Sequence, residues 1–128
     1  MAEIEEELRT YLLADATIAG LIGTRLYPDI LPQSPTMPAL AYSVAGGVSV
    51  HSTDGASNLA GPRFQVDCWG ATKNQAINLY NAVRKRLNGK RTGNIQGAFL
   101  EGWRDLYDPQ PQLYRRIADF MVWHTEAT

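Results

Sequence analysis

Cysteine is nearly absent from this chain. Cys68 is the only one in 128 residues, so no internal disulfide can form. Histidine is almost as scarce: His51 and His124 lie far apart, and no spaced Cys/His set for zinc exists. No apolar run approaches the roughly 20 residues of a membrane-spanning helix. Charge of one sign is also missing. Twelve Lys and Arg stand against 13 Asp and Glu, for a formal net charge of −1, which gives no global attraction to nucleic acid or anionic membrane. Glu3, Glu5, Glu6 and Glu7 occupy the region where a secretory signal would be basic, and this points to synthesis in a cytoplasm.

Catalytic signatures are lacking too. There is no G-x-S-x-G elbow, phosphate-binding loop or dinucleotide fingerprint. Gly46-Gly47 follows a strand-like run but lacks the later glycine and helix that a phosphate needs. His51-Ser52-Thr53-Asp54 sets three catalytic residue types side by side. Neighbours on a loop do not make a triad by proximity, so the stretch reads as a solvated turn. The acids Asp67, Asp105, Asp108 and Asp119 are scattered rather than convergent, and Asp67 and Asp119 can each pair with an arginine on a neighbouring strand, Arg104, Arg115 or Arg116, either within the sheet or across a subunit boundary. The expectation is a non-enzyme with no catalytic, cofactor-binding or metal-binding residues.

What is present is a well-patterned single domain over residues 1–128, 45% hydrophobic and 20% charged. Its centre is the run from Gly61 to Gly89. Arg63 to Trp69 alternates as a strand, with Phe64, Val66 and Cys68 on one face and Arg63, Gln65, Asp67 and Trp69 on the other. Cys68 thus reads as a small buried hydrophobe rather than a reactive thiol. Thr72 is a plausible N-cap for a helix to about Asn88, whose stripe is Ala76, Leu79, Tyr80, Val83 and Leu87, and Gly89 can take the left-handed conformation that ends it.

Residues 3–14 form an earlier helix with the stripe Ile4, Leu8, Tyr11 and Leu12. Its glutamates suit the positive end of the helix dipole and read as a solvated face, not as a metal or acid–base site. Asp15 can cap a short helical piece from Ala16 to Ile22 that ends at Gly23. Arg25 to Tyr27 suggests a short edge strand, followed by an extended proline-bearing connection. Ala39 to Val44 alternates as a strand, and Gly46 to Gly61 is poor in large apolar residues. That stretch reads as a flexible loop or hairpin excursion with a strand extension at one or both ends, or as a loop that orders against a neighbouring subunit. Lys90 to Asn94 reads as a polar turn. A strand from Ile95 follows, extending toward Tyr107 with bulges at Gly97 and Gly102, then a turn at Asp108-Pro109-Gln110-Pro111 and a last strand from Leu113 to Trp123. The expected fold is α+β, in the order α-β-β-β-α-β-β. One mostly antiparallel sheet of four to five strands carries the N-terminal helix and a second helix on one face.

Two surfaces stand out as candidate contacts. On the sheet face away from the helices lie Gln65, Asp67, Trp69, Ile117, Asp119, Met121 and Trp123, an apolar and polar mixture unusual for solvent; either another protein or this chain's own loops and N-terminal helix would cover it. At the end of the second helix are Arg84, Lys85 and Arg86, with Lys90 and Arg91 beyond. They suit the negative end of the helix dipole, and they could also meet phosphates or an acidic partner.

Four pieces of sequence, in this order and spacing, carry a family resemblance. They are Leu8 to Asp15 running into Leu21 to Pro28; Pro38 to Tyr42; Arg63 to Thr72; and Arg104 to Pro109 followed by Leu113 to His124. The chain resembles the tail-completion or tail-terminator proteins of long-tailed bacteriophages and related gene-transfer particles. The resemblance implies a structural virion protein, made in the host cytoplasm, that caps the head-proximal end of the tail tube. It implies a homohexameric ring that stops tube polymerisation and helps join tail to head, with the tail tube protein and head–neck connector proteins as partners. DNA would pass through its bore without sequence-specific binding, and no cofactor, membrane or catalysis is implied. The alternatives are another neck component, such as a head–tail adaptor or stopper, and a nucleic-acid-binding module.

Overall fold

A computed structural model describes residues 4–32, 36–52, 55–92, 95–109 and 112–125; within these, the side chains of residues 45–60, 62, 92 and 125 are left out of the description. The elements run α1 (Ile4–Leu13), α2 (Ala16–Ile22), β1 (Leu26–Pro28), β2 (Ala39–Ser52), β3 (Gly55–Gly70), α3 (Lys73–Leu87), β4 (Lys90–Thr92), β5 (Ile95–Asp108) and β6 (Leu113–Thr125). The α+β expectation holds at the level of class, with helices on one face of one sheet. The sheet, however, has six strands in the order β1-β2-β3-β6-β5-β4, not four to five. It is also mixed, because β1 runs parallel to β2 while the other pairings are antiparallel.

The short helix α2, expected at Ala16 to Ile22, and the one strand beyond those expected, β4, have local causes. Asp15 accepts a hydrogen bond from the Ile18 amide, and Gly23 closes the turn at φ 61°, so α2 is a helix of its own and not a tail of α1. Gly89, at φ 75°, turns the chain after α3, and its amide donates to the Ala98 carbonyl at 2.6 Å. That bond lays Lys90 beside Ala98, so residues 90–92, read from sequence as part of a turn, become edge strand β4; residues 93 and 94 lie outside the described residues. On the opposite edge, Pro28 is tolerated because β1 needs no donor toward solvent.

The stretch 46–61 is drawn into the sheet along both sides. Pairing continues from Gly47↔Pro62 through Ser52↔Gly55, with irregularities between Val44 and Gly47 and between Val50 and His51. Residues 53 and 54 of the His51–Asp54 run lie outside the described residues.

The core lies between the helices and one sheet face. Leu40, Phe64, Val66, Cys68, Ala118, Phe120 and Val122 meet Leu8, Leu12, Ile18, Ile22, Leu79, Val83 and Leu87, all of them buried. Burying each such large apolar side chain is worth roughly 1.5–3 kcal/mol, so this layer dominates the stability of the domain. α3 is aimed at both ends: Thr72 accepts from the Gln75 amide, and the Asn88 amide returns to the Arg84 carbonyl. Tyr11 and Arg86 tie α1 to α3, since the Tyr11 hydroxyl donates to the Arg86 carbonyl and Arg86 Nε donates to the Tyr11 carbonyl, each at 3.0 Å.

Candidate functional site

The open face of the sheet is set by the alternation of β3, β5 and β6. Register places Trp69 beside Arg115, Asp67 beside Ile117, Gln65 beside Asp119 and Arg63 beside Met121. From the other side β5 brings Leu106 to Arg115, Arg104 to Ile117 and Phe99 to Met121. The seven candidates Gln65, Asp67, Trp69, Ile117, Asp119, Met121 and Trp123 therefore share one face.

They are not equally exposed. Ile117 is 2% exposed and Asp67 8%, both buried within the subunit. Two diagonal ion pairs bracket Ile117: Arg115 Nη1 to Asp67 Oδ2 at 3.3 Å, and Arg104 Nη1 to Asp119 Oδ2 at 3.4 Å. The sequence expectation that Asp67 and Asp119 pair with strand arginines is thus met. Gln65 Nε2 adds a hydrogen bond to Asp67 Oδ1, and Arg63 Nε reaches across β6 to Glu101 Oε1 at 2.7 Å. Glu101 is available for this because the register slips between Leu100 and Gly102.

The apolar members sit around this ladder. A Cβ on Gly61 would lie 2.7 Å from the Trp123 ring, and one on Gly97 would lie 2.7 Å from Phe99, so the two glycines let aromatic rings lie flat on the strands. Phe99 is 49% exposed and Leu106 41%. The sequence reading missed both as open-face residues, although continuing the alternation of β5 through its bulge would have found them. Arg115 stacks over Trp69 with its guanidinium carbon 4.6 Å from the ring centroid, yet Arg115 Nε and Trp69 Nε1 are buried with no hydrogen-bond partner among the described residues. Two unfilled donors thus lie together on the face that no helix covers.

Arg84, Lys85 and Arg86 are not part of this face. They lie in the last turn of α3, in the helix layer on the other side of the sheet. Lys85, Arg86 and Lys90 line an open groove of about 510 Å3 that also includes Tyr11, Asp15, Asn78 and Asn81. Arg86 is held by Tyr11, with its guanidinium carbon 3.8 Å from the ring centroid, whereas Lys85 and Lys90 are exposed.

On the helix side, Arg116 interrupts the apolar face of β6. Its Nε and Nη2 donate to the two Asp105 oxygens at 2.7 and 3.0 Å, and its guanidinium lies 3.9 Å from the Trp103 ring centroid and 4.9 Å from that of Tyr80. The Arg116 hydrogen bonds hold the Asp105 carboxyl below its ordinary range. Burial pushes the Cys68 thiol far above its usual value, with Asp67 reinforcing and Arg116 opposing, so it is no nucleophile. Among the described residues no group of three or more His, Cys, Asp or Glu is placed to hold a metal, and no helix is long and apolar enough to cross a membrane.

An open, ion-paired sheet face on one side and a helix layer with a basic rim on the other define the class at the level of fold: an α+β domain with one mixed sheet. The sequence profile of the tail completion protein gp17 family matches residues 6–125, nearly the whole chain, and the protein belongs to that family. It is accordingly a structural virion protein of the tail and neck region, not an enzyme. The fold is similar to a chain in a structure described as "Virion of native gene transfer agent (GTA) particle", with a TM-score of 0.65 and 21% identity over 92% of this chain and 91% of that one. No curated protein matches.

Proposed function

We propose that the protein is a tail terminator. It caps the head-proximal end of the tail tube, stops tube polymerisation and helps join the tail to the head. In this reading it works as a homohexameric ring between the tail tube protein and the head–neck connector proteins, and DNA passes through the bore without sequence-specific contacts. The observation that carries the reading is the family match along residues 6–125. The unfilled donors at Trp69 and Arg115 with half-exposed Leu106 beside them, and half-exposed Phe99 further along the same face, support the open face as a contact surface. Gln65, Asp119, Met121 and Trp123 belong to that surface, while buried Asp67 and Ile117 hold it in shape. Arg84, Lys85 and Arg86 form a second, separate surface at the helix rim.

Deleting the gene from its phage or particle tests this. Overlong tails or tubes are the expected result. Normal free tails accumulating beside filled heads would overturn it in favour of an adaptor or stopper role in the neck.

A further inference from the structure

The two edges of the sheet differ in charge: acids outnumber bases at one, where Arg9 and Arg25 also stand, and bases outnumber acids at the other, where Asp15 shares the groove of Lys85 and Lys90. Asp29 follows edge strand β1, and its amide bonds to the Tyr42 carbonyl of β2 at 2.7 Å. Glu5 and Glu6, in the first turn of α1, act through their charge on the Tyr42 hydroxyl of β2, the strand next to β1; burial is the main cause of that hydroxyl's raised pKa, with Arg9 opposing and Glu5, Asp29 and Glu6 reinforcing. The other edge is β4, where Lys90 and Arg91 sit, and Lys85 at the end of α3 lines the same groove as Lys90. Counted across the sheet, the edge strands are five spacings of about 4.8 Å apart, roughly 24 Å, and they also sit at different levels along it, β1 at that of Arg116 and β4 at that of Val122. Glu5, Glu6, Asp29, Lys85, Lys90 and Arg91 are all exposed, and none forms an ion pair among the described residues.

We propose that the β1 edge of one copy, with Glu5, Glu6 and Asp29, docks against the β4 edge of a second copy, with Lys85, Lys90 and Arg91. This rests on the ring reading above and names the contact that builds it. The signs of charge discriminate between symmetries. A two-fold dimer through either edge would face acid with acid or base with base, whereas a head-to-tail contact brings opposite charges together. Head-to-tail contacts repeat, closing into a ring or growing into a filament. Single exposed ion pairs add little affinity, so the charges set polarity and encounter rate while neighbouring backbone and apolar atoms hold the contact.

The test uses two full-length variants: Glu5→Lys/Glu6→Lys/Asp29→Lys, with both edges basic, and Lys85→Glu/Lys90→Glu/Arg91→Glu, with both edges acidic. Circular dichroism checks that each is folded, and sedimentation velocity reads association at low and high salt. Each variant alone is expected to associate at least about tenfold more weakly than the native chain. A one-to-one mixture is expected to associate at least as strongly as the native chain, and to lose that association in high salt. A mixture that stays monomeric overturns the proposal, and so do variants that assemble alone as the native chain does. If the native chain forms rings but the variants behave so, the edge contact fails and the ring stands. If the mixture associates while the native chain never closes a ring, even with tube protein added, the edge contact stands and the ring reading fails. Loss of duplex DNA binding by the acidic variant without any change in self-association would likewise overturn the proposal and favour nucleic acid as the partner of the basic edge.

Discussion

Arg115 and Arg116 are adjacent on β6 and face opposite ways, and the two sides of the sheet treat them differently. Each has a carboxylate on a neighbouring strand and an aromatic ring beside it. Arg116, on the helix side, makes a two-pronged contact with Asp105 at 2.7 and 3.0 Å and lies near both Trp103 and Tyr80. Arg115, on the open side, reaches Asp67 at 3.3 Å, stacks on Trp69 and leaves Nε buried and unfilled. The same residue types thus give a finished rim on one side and an unfinished one on the other. The cause is register. Asp105 is directly opposite Arg116, whereas Asp67 is diagonal to Arg115, which is paired with Trp69. A side chain satisfied inside its own subunit contributes to stability; on the proposed reading, one left short is where a neighbouring chain has something to add.

The contrast can be broken most forcefully by one substitution on each face. Phe64→Ala opens a cavity at a fully buried site and is expected to cost about 3–5 kcal/mol in urea unfolding. Met121→Glu, on the partly buried open face, is expected to cost about 1 kcal/mol or less, yet to abolish incorporation into particles in a complementation assay. Comparable destabilisation by the two would remove the distinction between core face and contact face.

The two arginines come next. Arg116→Ala strands Asp105 and removes the cation between two rings, and Arg115→Ala strands the more deeply buried Asp67 with only Gln65 left to bond it; each is expected to lose about 1–3 kcal/mol, the Arg115 variant at least as much. A clearly smaller loss for Arg115→Ala would mean that the two-pronged geometry outweighs burial. Acid sharpens the same point. Asp105 has its pKa lowered in the folded state, chiefly by the Arg116 hydrogen bonds. Its contribution is therefore fully present above the unfolded carboxylate value of about 4 and is lost as pH falls through the lower folded value. Asp105→Asn should lower stability at neutral pH and flatten the decline below about pH 4 in denaturant titrations. An unchanged acid limb would count against the pair. The smallest effect expected is that of Thr72→Ala, which removes the cap of α3 at a cost of about 1 kcal/mol and alters neither surface.

Much of this architecture was legible from local pattern. The alternation of Phe64, Val66 and Cys68, the stripe of α3, the caps at Thr72 and Asp15, and the slips at Gly97 and Gly102 all depend on residues close in sequence, where period and capping chemistry suffice. So did the sharing of one face by Gln65, Asp67, Trp69, Ile117, Asp119, Met121 and Trp123, since a strand period of two decides it. Beyond local pattern lay β4, which owes its place to one bond from Gly89 to Ala98 across a turn. The parallel pairing of β1 and the pairing of Val48, Ser49 and Val50 with Gly61, Ala60 and Leu59 depend equally on partners that period alone cannot name.

By itself the sequence determined the class of fold, the core stripe, the direction of the side chains along β3 and β6 and the family to which the chain belongs. These follow from short-range sterics, hydrophobic period and the order of motifs. Only the tertiary structure decided which carboxylate meets which arginine, that Ile117 and Asp67 are buried on a face no helix covers, and that acid and base collect at opposite edges of one sheet. Each of these is a relation between strands far apart in the chain. Register and strand order create it, and a shift of one residue would turn every side chain concerned to the other face.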